Sequence, residues 1–179
     1  MISEYAQNGF DFIFKKAVLS TIPKGTEDIC EIEIIGKIHE IKEPEFSVLT
    51  IATTSFRALT LFHFNSKDPT HNGFERGDIG ESSTFRDSFL EFCNMCSGAM
   101  VRDLHPHCHF MGMSTPYVLK SHCLDYITSL NPGFTRHYRI VLNNSYTIHA
   151  TLCVCNYGVV DFKVDTTEVE ESTGELELF

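Results

Sequence analysis

The chain has 179 residues and a mass of 20.3 kDa, and 42% of its residues are hydrophobic. A chain of this length buries about 70% of its unfolded surface when it folds, so it can form a core without metal or disulfide staples. The net charge of −10 and the lack of a basic cluster argue against a nucleic-acid partner. No apolar run approaches the ~20 residues of a membrane span, and Glu4 and Asp11 interrupt any signal-peptide pattern.

The chain contains seven cysteines, an odd number in a sequence without an export signal. We therefore predict reduced thiols in a cytoplasmic protein. In that setting a cysteine behaves mainly as a small, buried apolar residue.

The first 41 residues predict a helix and then a strand. Residues 4–20 keep loose helical spacing that Gly9 weakens, and Pro23 and Gly25 end the helix. Residues 29–41 then alternate isoleucine with charged side chains, which is typical of a strand.

Two further strands are predicted over residues 46–53 and 56–64. The second strand places five residues on one side: Phe56, Ala58, Thr60, Phe62 and Phe64. Residues 66–80, rich in glycine and aspartate, then predict a loop of a length that is usually functional or mobile.

The last third of the chain predicts a short strand around 116–120, a mixed stretch and a β-hairpin. The hairpin arms are Phe134–Leu142 and Tyr146–Cys155, joined by turn-forming residues at 143–145. The second arm alternates apolar and polar residues, which predicts a half-buried antiparallel strand. Beyond Val164 we expect an acidic, disordered tail.

A helix over residues 82–104 carries the most informative pattern in the sequence. Ser82, Ser83 or Thr84 can cap it. At about 100° per residue, one side collects apolar residues: Phe85, Phe89, Phe92, Cys96, Ala99 and Met100, with Cys93 and Leu104 at its margin. The other side carries a polar stripe, which consists of Asp87, Glu91, Asn94 and Gly98.

This polar stripe differs from an ordinary solvent-facing helix surface. It lacks the lysines, arginines and long glutamate pairs that usually cover such a surface. Asparagine also favours caps and turns, so Asn94 in the middle of a helix requires a reason. The stripe is therefore either an ordinary solvent-exposed helix surface or a functional surface.

The spacing of the stripe resembles the signature of the CheC/CheX/FliY chemotaxis phosphatases. In that signature an Asp or Ser, a Glu, an Asn and a Pro follow one another, and Asp87-x3-Glu91-x2-Asn94-x21-Pro116 has the same order and intervals. Gly98 and the apolar residues around the motif also resemble the family helix. Four positions at three matching intervals are more specific than a Glu-x-x-Asn pair alone.

The resemblance implies a fold and a function. It implies an α+β fold, in which helices flank a mainly antiparallel sheet, as a single CheX-like domain over 1–165. The acidic tail over 166–179 and the 66–80 loop are not features of the family. The resemblance implies hydrolysis of the aspartyl phosphate on a CheY-like response regulator. In this reaction Glu91 contacts the regulator and Asn94 orients the attacking water, while Asp87, Gly98 and Pro116 support the site.

The resemblance also implies which groups the chain itself does not supply. The regulator holds the Mg²⁺ of the reaction, so we expect this chain to bind no cofactor and no metal. A CheX-like homodimer is expected, with no nucleic acid or membrane as a partner. The sequence departs from the family in having one copy of the motif and no glycine shortly after Pro116.

Three other interpretations remain open at this stage. The domain can be a non-catalytic module that binds a response regulator or another signalling protein. Cys93-x2-Cys96 and the nearby His105, His107 and His109 suit a tetrahedral zinc site in their residue types, although both cysteines fall toward the apolar side of the helix. Cys108 beside histidines suggests a nucleophile, but neighbours along a strand point to opposite faces.

Overall fold

A computed structural model describes residues 1–22, 28–36, 41–67, 85–144 and 146–166. Its elements in chain order are α1 (Glu4–Thr21), β1 (Cys30–Ile35), β2 (Glu45–Ala52), β3 (Phe56–Phe64), α2 (Phe85–Leu104), β4 (Gly112–Met113), β5 (Tyr117–Lys120), a 3₁₀ helix (Ser121–Leu130), β6 (Phe134–Leu142) and β7 (Tyr146–Asn156). The predicted helix stop at Pro23 and Gly25, the caps at 82–84, and most of the 66–80 loop and the 166–179 tail lie outside the described residues. No helix in the described ranges is long and apolar enough to cross a bilayer.

The strands form one seven-stranded sheet with the order β1-β6-β7-β3-β2, and both β4 and β5 pair with the outer edge of β2. Every pairing between these strands is antiparallel. The predicted α+β class and mainly antiparallel sheet are therefore confirmed. The predicted hairpin is also confirmed, and Asn143 and Asn144 in its turn both take the left-handed φ of 53° that asparagine tolerates.

One side of the sheet, which we call the helix side, packs against α1 and α2. Alternate residues of each strand point to this side, and the five that the sequence placed together on β3 line it. The contacts are largely aromatic. The centroid of the Phe62 ring lies 5.3 Å from that of Phe92 on α2 and 5.9 Å from that of Phe14 on α1.

Polar contacts at one end and in the middle of α1 fix this helix on the sheet. The Ser3 hydroxyl caps the helix by accepting a hydrogen bond from the Ala6 N–H at 3.1 Å. Asp11 then accepts a hydrogen bond from the Tyr138 hydroxyl at 3.0 Å and forms an ion pair with Arg136 at 3.3 Å. Because both partners lie on β6, Asp11 fixes the helix to the strand next to the edge strand β1.

The opposite side of the sheet, which we call the second side, is covered in part by the 3₁₀ helix. Cys123, Leu124 and Ile127 of that helix pack on a small cluster formed by Phe46, Val48 and Leu61. Neither the 3₁₀ helix nor the two-residue strand β4 was predicted from the sequence, in which the residues of the helix form a mixed stretch. The prediction that β7 is half-buried is therefore wrong in its second half, where Thr151 and Cys153 are buried on this side.

Candidate functional site

The site forms on α2, whose apolar side anchors the helix to the sheet. Phe89 and Phe92 are completely buried, as are Cys93, Cys96, Met100 and Leu104. Two polar contacts set the rotation of the helix. The Ser47 hydroxyl donates to the Cys93 sulfur at 3.1 Å, and the hydroxyls of Thr60 and Ser97 lie 2.9 Å apart. Because these contacts come from two strands, α2 is held against rotation about its axis.

The polar stripe faces away from this anchored side. Asp87 and Glu91 are exposed, while Asn94 and Gly98 are half-buried. Residues three apart are one turn of an α-helix from each other, which is about 4.5 Å along the axis, so the Glu91 carboxylate and the Asn94 amide are neighbours. Among the described residues, no side chain forms a hydrogen bond or an ion pair with either group. Both therefore retain their hydrogen-bonding capacity for a partner.

Gly98 lies one turn beyond Asn94, and the described part of the fold does not require a glycine there. A Cβ atom built on Gly98 would meet only the Arg102 guanidinium, at 3.9 Å, which is an ordinary van der Waals distance. Glycine in a helix interior costs about 1 kcal/mol relative to alanine. The glycine therefore lowers the stability of the helix without relieving a clash, and it keeps the surface beside Asn94 free of a side chain.

Pro116 lies in the link between β4 and β5, beside the outer edge of β2, and is half-buried. The preceding residues are fixed to β2, because the Ser114 N–H donates to the Thr50 carbonyl at 2.9 Å and the Ser114 hydroxyl accepts from the Thr50 N–H at 3.0 Å. The strand predicted after Pro116 is present as β5. The structure thus places Asp87, Glu91, Asn94 and Gly98 on one helix surface, and Pro116 on a separate, fixed segment.

The proposed zinc ligands do not come together. Cys93 and Cys96 are fully buried in the core, and burial raises the pKa of both thiols, to about 12 for Cys96. His105 and His109 are exposed beyond the end of α2, and His107 stacks on Phe162 with 5.1 Å between ring centroids. No group of three or more histidines, cysteines or acidic residues within the described ranges could hold a metal ion.

Cys108 was expected to lie on a strand, and that expectation is wrong. Residues 105–110 form turns and bends after α2, with Phe110 at a left-handed φ of 59°. Burial raises the pKa of the Cys108 thiol above its ordinary value. A thiol that is harder to ionise is a poor nucleophile, so the environment of Cys108 disfavours this role.

A buried polar cluster on the second side was missed by the sequence analysis. His63 and His137 each lie within hydrogen-bond distance of the Thr151 hydroxyl, at 3.2 and 2.9 Å, and His149 lies 2.6 Å from the Glu43 carboxylate. Burial lowers the pKa of His63 to about 3, so this ring is neutral. Burial acts to raise the pKa of Glu43, but the hydrogen bond and charge of His149 lower it overall. The available signal was the alternation of apolar and polar residues along β7, which predicted a half-buried strand.

No protein-family model and no curated protein sequence matches the chain significantly, whereas solved structures do. A chemotactic CheC-like protein from Shewanella oneidensis MR-1 aligns with a TM-score of 0.56 at 12% identity, over 82% of this chain and 97% of that one. A chain of the CheX–CheY–BeF3–Mg²⁺ complex from Borrelia burgdorferi aligns with a TM-score of 0.56 at 9% identity, over 84% and 97%. A chain of the FliM–SpeE complex from H. pylori aligns with a TM-score of 0.55 at 12% identity, over 86% and 89%.

These similarities cover most of the chain at low sequence identity, so they establish the fold. The resemblance to CheC/CheX/FliY proteins, which the sequence analysis based on the motif of α2, is confirmed at this level: the described part of the chain adopts the CheC/CheX fold.

Proposed function

We propose that this protein removes the phosphoryl group from the aspartyl phosphate of a CheY-like response regulator. The observation that carries the proposal is the combination of the CheC/CheX fold with an outward-facing Glu91 and Asn94 on its anchored helix α2.

In the proposed reaction, Asn94 positions a water molecule for attack on phosphorus. The amide oxygen accepts a hydrogen bond from the water, while the amide N–H₂ donates to a phosphoryl oxygen. The new P–O bond to water forms as the bond between phosphorus and the aspartyl oxygen breaks, which releases inorganic phosphate and the free carboxylate. Because an acyl phosphate is already activated, this reaction depends on position and electrostatics more than on a strong base.

Glu91 has a docking role in this proposal. Its exposed carboxylate forms an ion pair with a lysine in the active site of the regulator, one helical turn from the reacting group. A neutral Asn94 avoids a second negative charge next to the phosphoryl group. Asp87 and Pro116 shape the borders of the site, and Gly98 allows the regulator to approach the helix closely.

The proposed site needs no metal or cofactor from this chain, because the regulator supplies the Mg²⁺ that neutralises the phosphoryl charge. The chain contributes rigidity through α2, whose rotation is set by Ser47 and Thr60. A cytoplasmic location, where response regulators act, is part of the same proposal.

The test measures the lifetime of a phosphorylated CheY-like regulator with and without the protein. We expect Asn94→Ala to slow dephosphorylation by about 100-fold or more, as for loss of a group that acts in the transition state, while binding to the BeF3-activated regulator changes little. Glu91→Ala is expected to slow the reaction and also to weaken binding, since it removes a docking ion pair.

Matched control variants come from the same chain. Asn8→Ala removes an exposed asparagine from the other helix, α1, and Glu31→Ala removes an exposed carboxylate from β1. Both are expected to retain full activity. The proposal fails if the wild-type protein does not shorten the lifetime of any phospho-regulator, or if the Glu91 and Asn94 variants are as active as these controls.

A non-catalytic binding module is the second candidate function, and the structural similarity to a chain of the FliM–SpeE complex favours it. In this case the same face of α2 holds a regulator or another signalling protein without hydrolysis. Tight binding to the regulator together with an unchanged phosphate lifetime would support the module and contradict the phosphatase.

We also propose that the protein forms a homodimer through a sheet edge, as its resemblance to CheX implies. Strand β1 is the terminal strand of the sheet, and its Ile34 side chain is half exposed to solvent. Sedimentation equilibrium should then give twice the 20.3 kDa mass of the chain, and Ile34→Lys should lower that mass. A monomer at all concentrations would contradict this proposal.

A further inference from the structure

A cavity of about 250 Å³ lies on the second side of the sheet, between the strands and the 3₁₀ helix. Its floor consists mainly of apolar side chains from β2 and β3, among them Val48, Leu59 and Leu61. Tyr117 of β5 and Tyr126 of the 3₁₀ helix contribute to its walls. It is smaller than the ~300–1,000 Å³ of pockets that take drug-sized ligands, so it suits a compact molecule.

One charged residue, Arg57 of β3, lines this otherwise uncharged cavity. The Nε atom of Arg57 is buried and has no hydrogen-bond partner. No carboxylate of the described residues forms an ion pair with its guanidinium. A partly buried cation without a partner is unfavourable, and a buried polar atom left unsatisfied requires an explanation.

Cys153 also lines the cavity, and the charge of Arg57 acts on its thiol. Burial raises the pKa of this thiol to about 12, despite the opposing effect of Arg57. The thiol is therefore neutral at physiological pH and does not balance the guanidinium. The cavity thus combines apolar walls with one uncompensated positive charge.

We propose that this cavity binds a small organic carboxylate with an apolar body. The body lies on the aliphatic floor between β3 and the 3₁₀ helix, and the carboxylate accepts hydrogen bonds from the Arg57 guanidinium. Charge-assisted bonds to a guanidinium are among the stronger hydrogen bonds in proteins. The site lies across the sheet from α2, so binding there does not depend on the phosphatase proposal.

Calorimetric titration of the full-length protein with three probes tests each part of this inference. Octanoate has both the apolar body and the charge, octanamide has the body without the charge, and acetate has the charge without the body. We expect octanoate to bind at least about tenfold more tightly than octanamide, which corresponds to one charge-assisted hydrogen bond, and acetate not to bind detectably. Amide chemical shifts of Leu59, Tyr117 and Tyr126 should move with octanoate.

Variants assign the effect to Arg57. Arg57→Gln should weaken octanoate binding about tenfold or more and remove the preference for octanoate over octanamide. Arg139→Gln is the matched control, since Arg139 is exposed on the same side of the sheet and pairs with Glu33 outside the cavity. It should bind octanoate like the wild type, as should Glu91→Ala.

Three outcomes would overturn the inference without depending on how a variant folds. Equal binding of octanoate and octanamide to the wild-type protein would show a cavity that selects for shape alone. Absence of octanoate binding, or shifts confined to residues outside the cavity, would show that the uncompensated Arg57 does not mark a carboxylate site.

Discussion

The two sides of the sheet bury different kinds of side chains. The helix side is largely aromatic. Four of its rings are completely buried and contact other aromatic rings: Phe10, Phe14, Phe62 and Phe92. The second side buries a smaller apolar cluster together with histidine, threonine and cysteine, and the 3₁₀ helix leaves a cavity beneath it. Within the described residues, both buried side-chain nitrogens without a hydrogen-bond partner, Arg57 Nε and His63 Nδ1, belong to the second side.

The two sides of the sheet therefore have different roles. Close packing on the helix side fixes α2, which a positioned amide and carboxylate require. The second side instead retains polar groups that are incompletely satisfied, and such groups often mark functional sites. If this division is correct, substitutions on the second side should change stability or ligand binding while leaving dephosphorylation intact.

The largest expected effect comes from neighbouring residues of β3 that face opposite sides. Phe62→Ala should lower the free energy of unfolding by about 3–5 kcal/mol, because it removes a fully buried ring from the helix side. Leu61→Ala should cost about 2 kcal/mol, at the low end for buried leucine, since Leu61 already lines a cavity. Urea denaturation measures both values. Equal losses would mean that the two sides are packed equally well.

A second test uses the neutral His63 of the second side. Below its ordinary pKa of 6.5 the unfolded chain protonates this histidine, whereas the folded protein, with a pKa of about 3, does not. The unfolded state therefore binds more protons, and stability falls as the pH is lowered, by up to about 1.4 kcal/mol per pH unit. His63→Gln should remove that part of the slope.

Denaturation of both proteins between pH 6.5 and about 5 isolates this histidine effect, because the pKa of Glu43 lies below its ordinary 4.5. His137 also has a pKa lowered by burial, so it contributes to the slope in the same direction. Identical pH slopes for wild type and His63→Gln would contradict a neutral, buried His63.

The smallest expected effect is on α2 itself. Gly98→Ala should raise the free energy of unfolding by about 0.8–1.0 kcal/mol, since alanine is the better helix former and its Cβ meets no atom closer than 3.9 Å. Gly98→Gln should also be stabilising, yet it should slow dephosphorylation because its side chain lies beside Asn94. Thermal denaturation and phosphate release measure the two effects. A fully active Gln variant would show that the regulator does not approach Gly98 closely.

The amino-acid sequence alone was sufficient for the elements whose pattern is local. Periodicity predicted α1, β2, β3 and the hairpin to within about a residue of their observed ends, because helices and strands each repeat at a characteristic interval. The same arithmetic predicted most of the buried apolar residues of α2, although Phe85 is only half-buried and the buried Ser88 and Ser97 were not predicted. The motif spacing indicated the fold. The roles of Glu91 and Asn94 remain predictions of the sequence that the structure makes sterically possible.

Only the tertiary structure decided the strand order and the character of the second side. Polar residues at alternate positions of β7, such as His149 and Thr151, have the local pattern of a solvent-facing surface. Thr151 is nevertheless buried between His63 of β3 and His137 of β6, because the strand order brings these residues together only after folding. The cavity beside Arg57 likewise requires side chains from several separate elements, and contacts between distant residues leave no periodic trace in a single sequence.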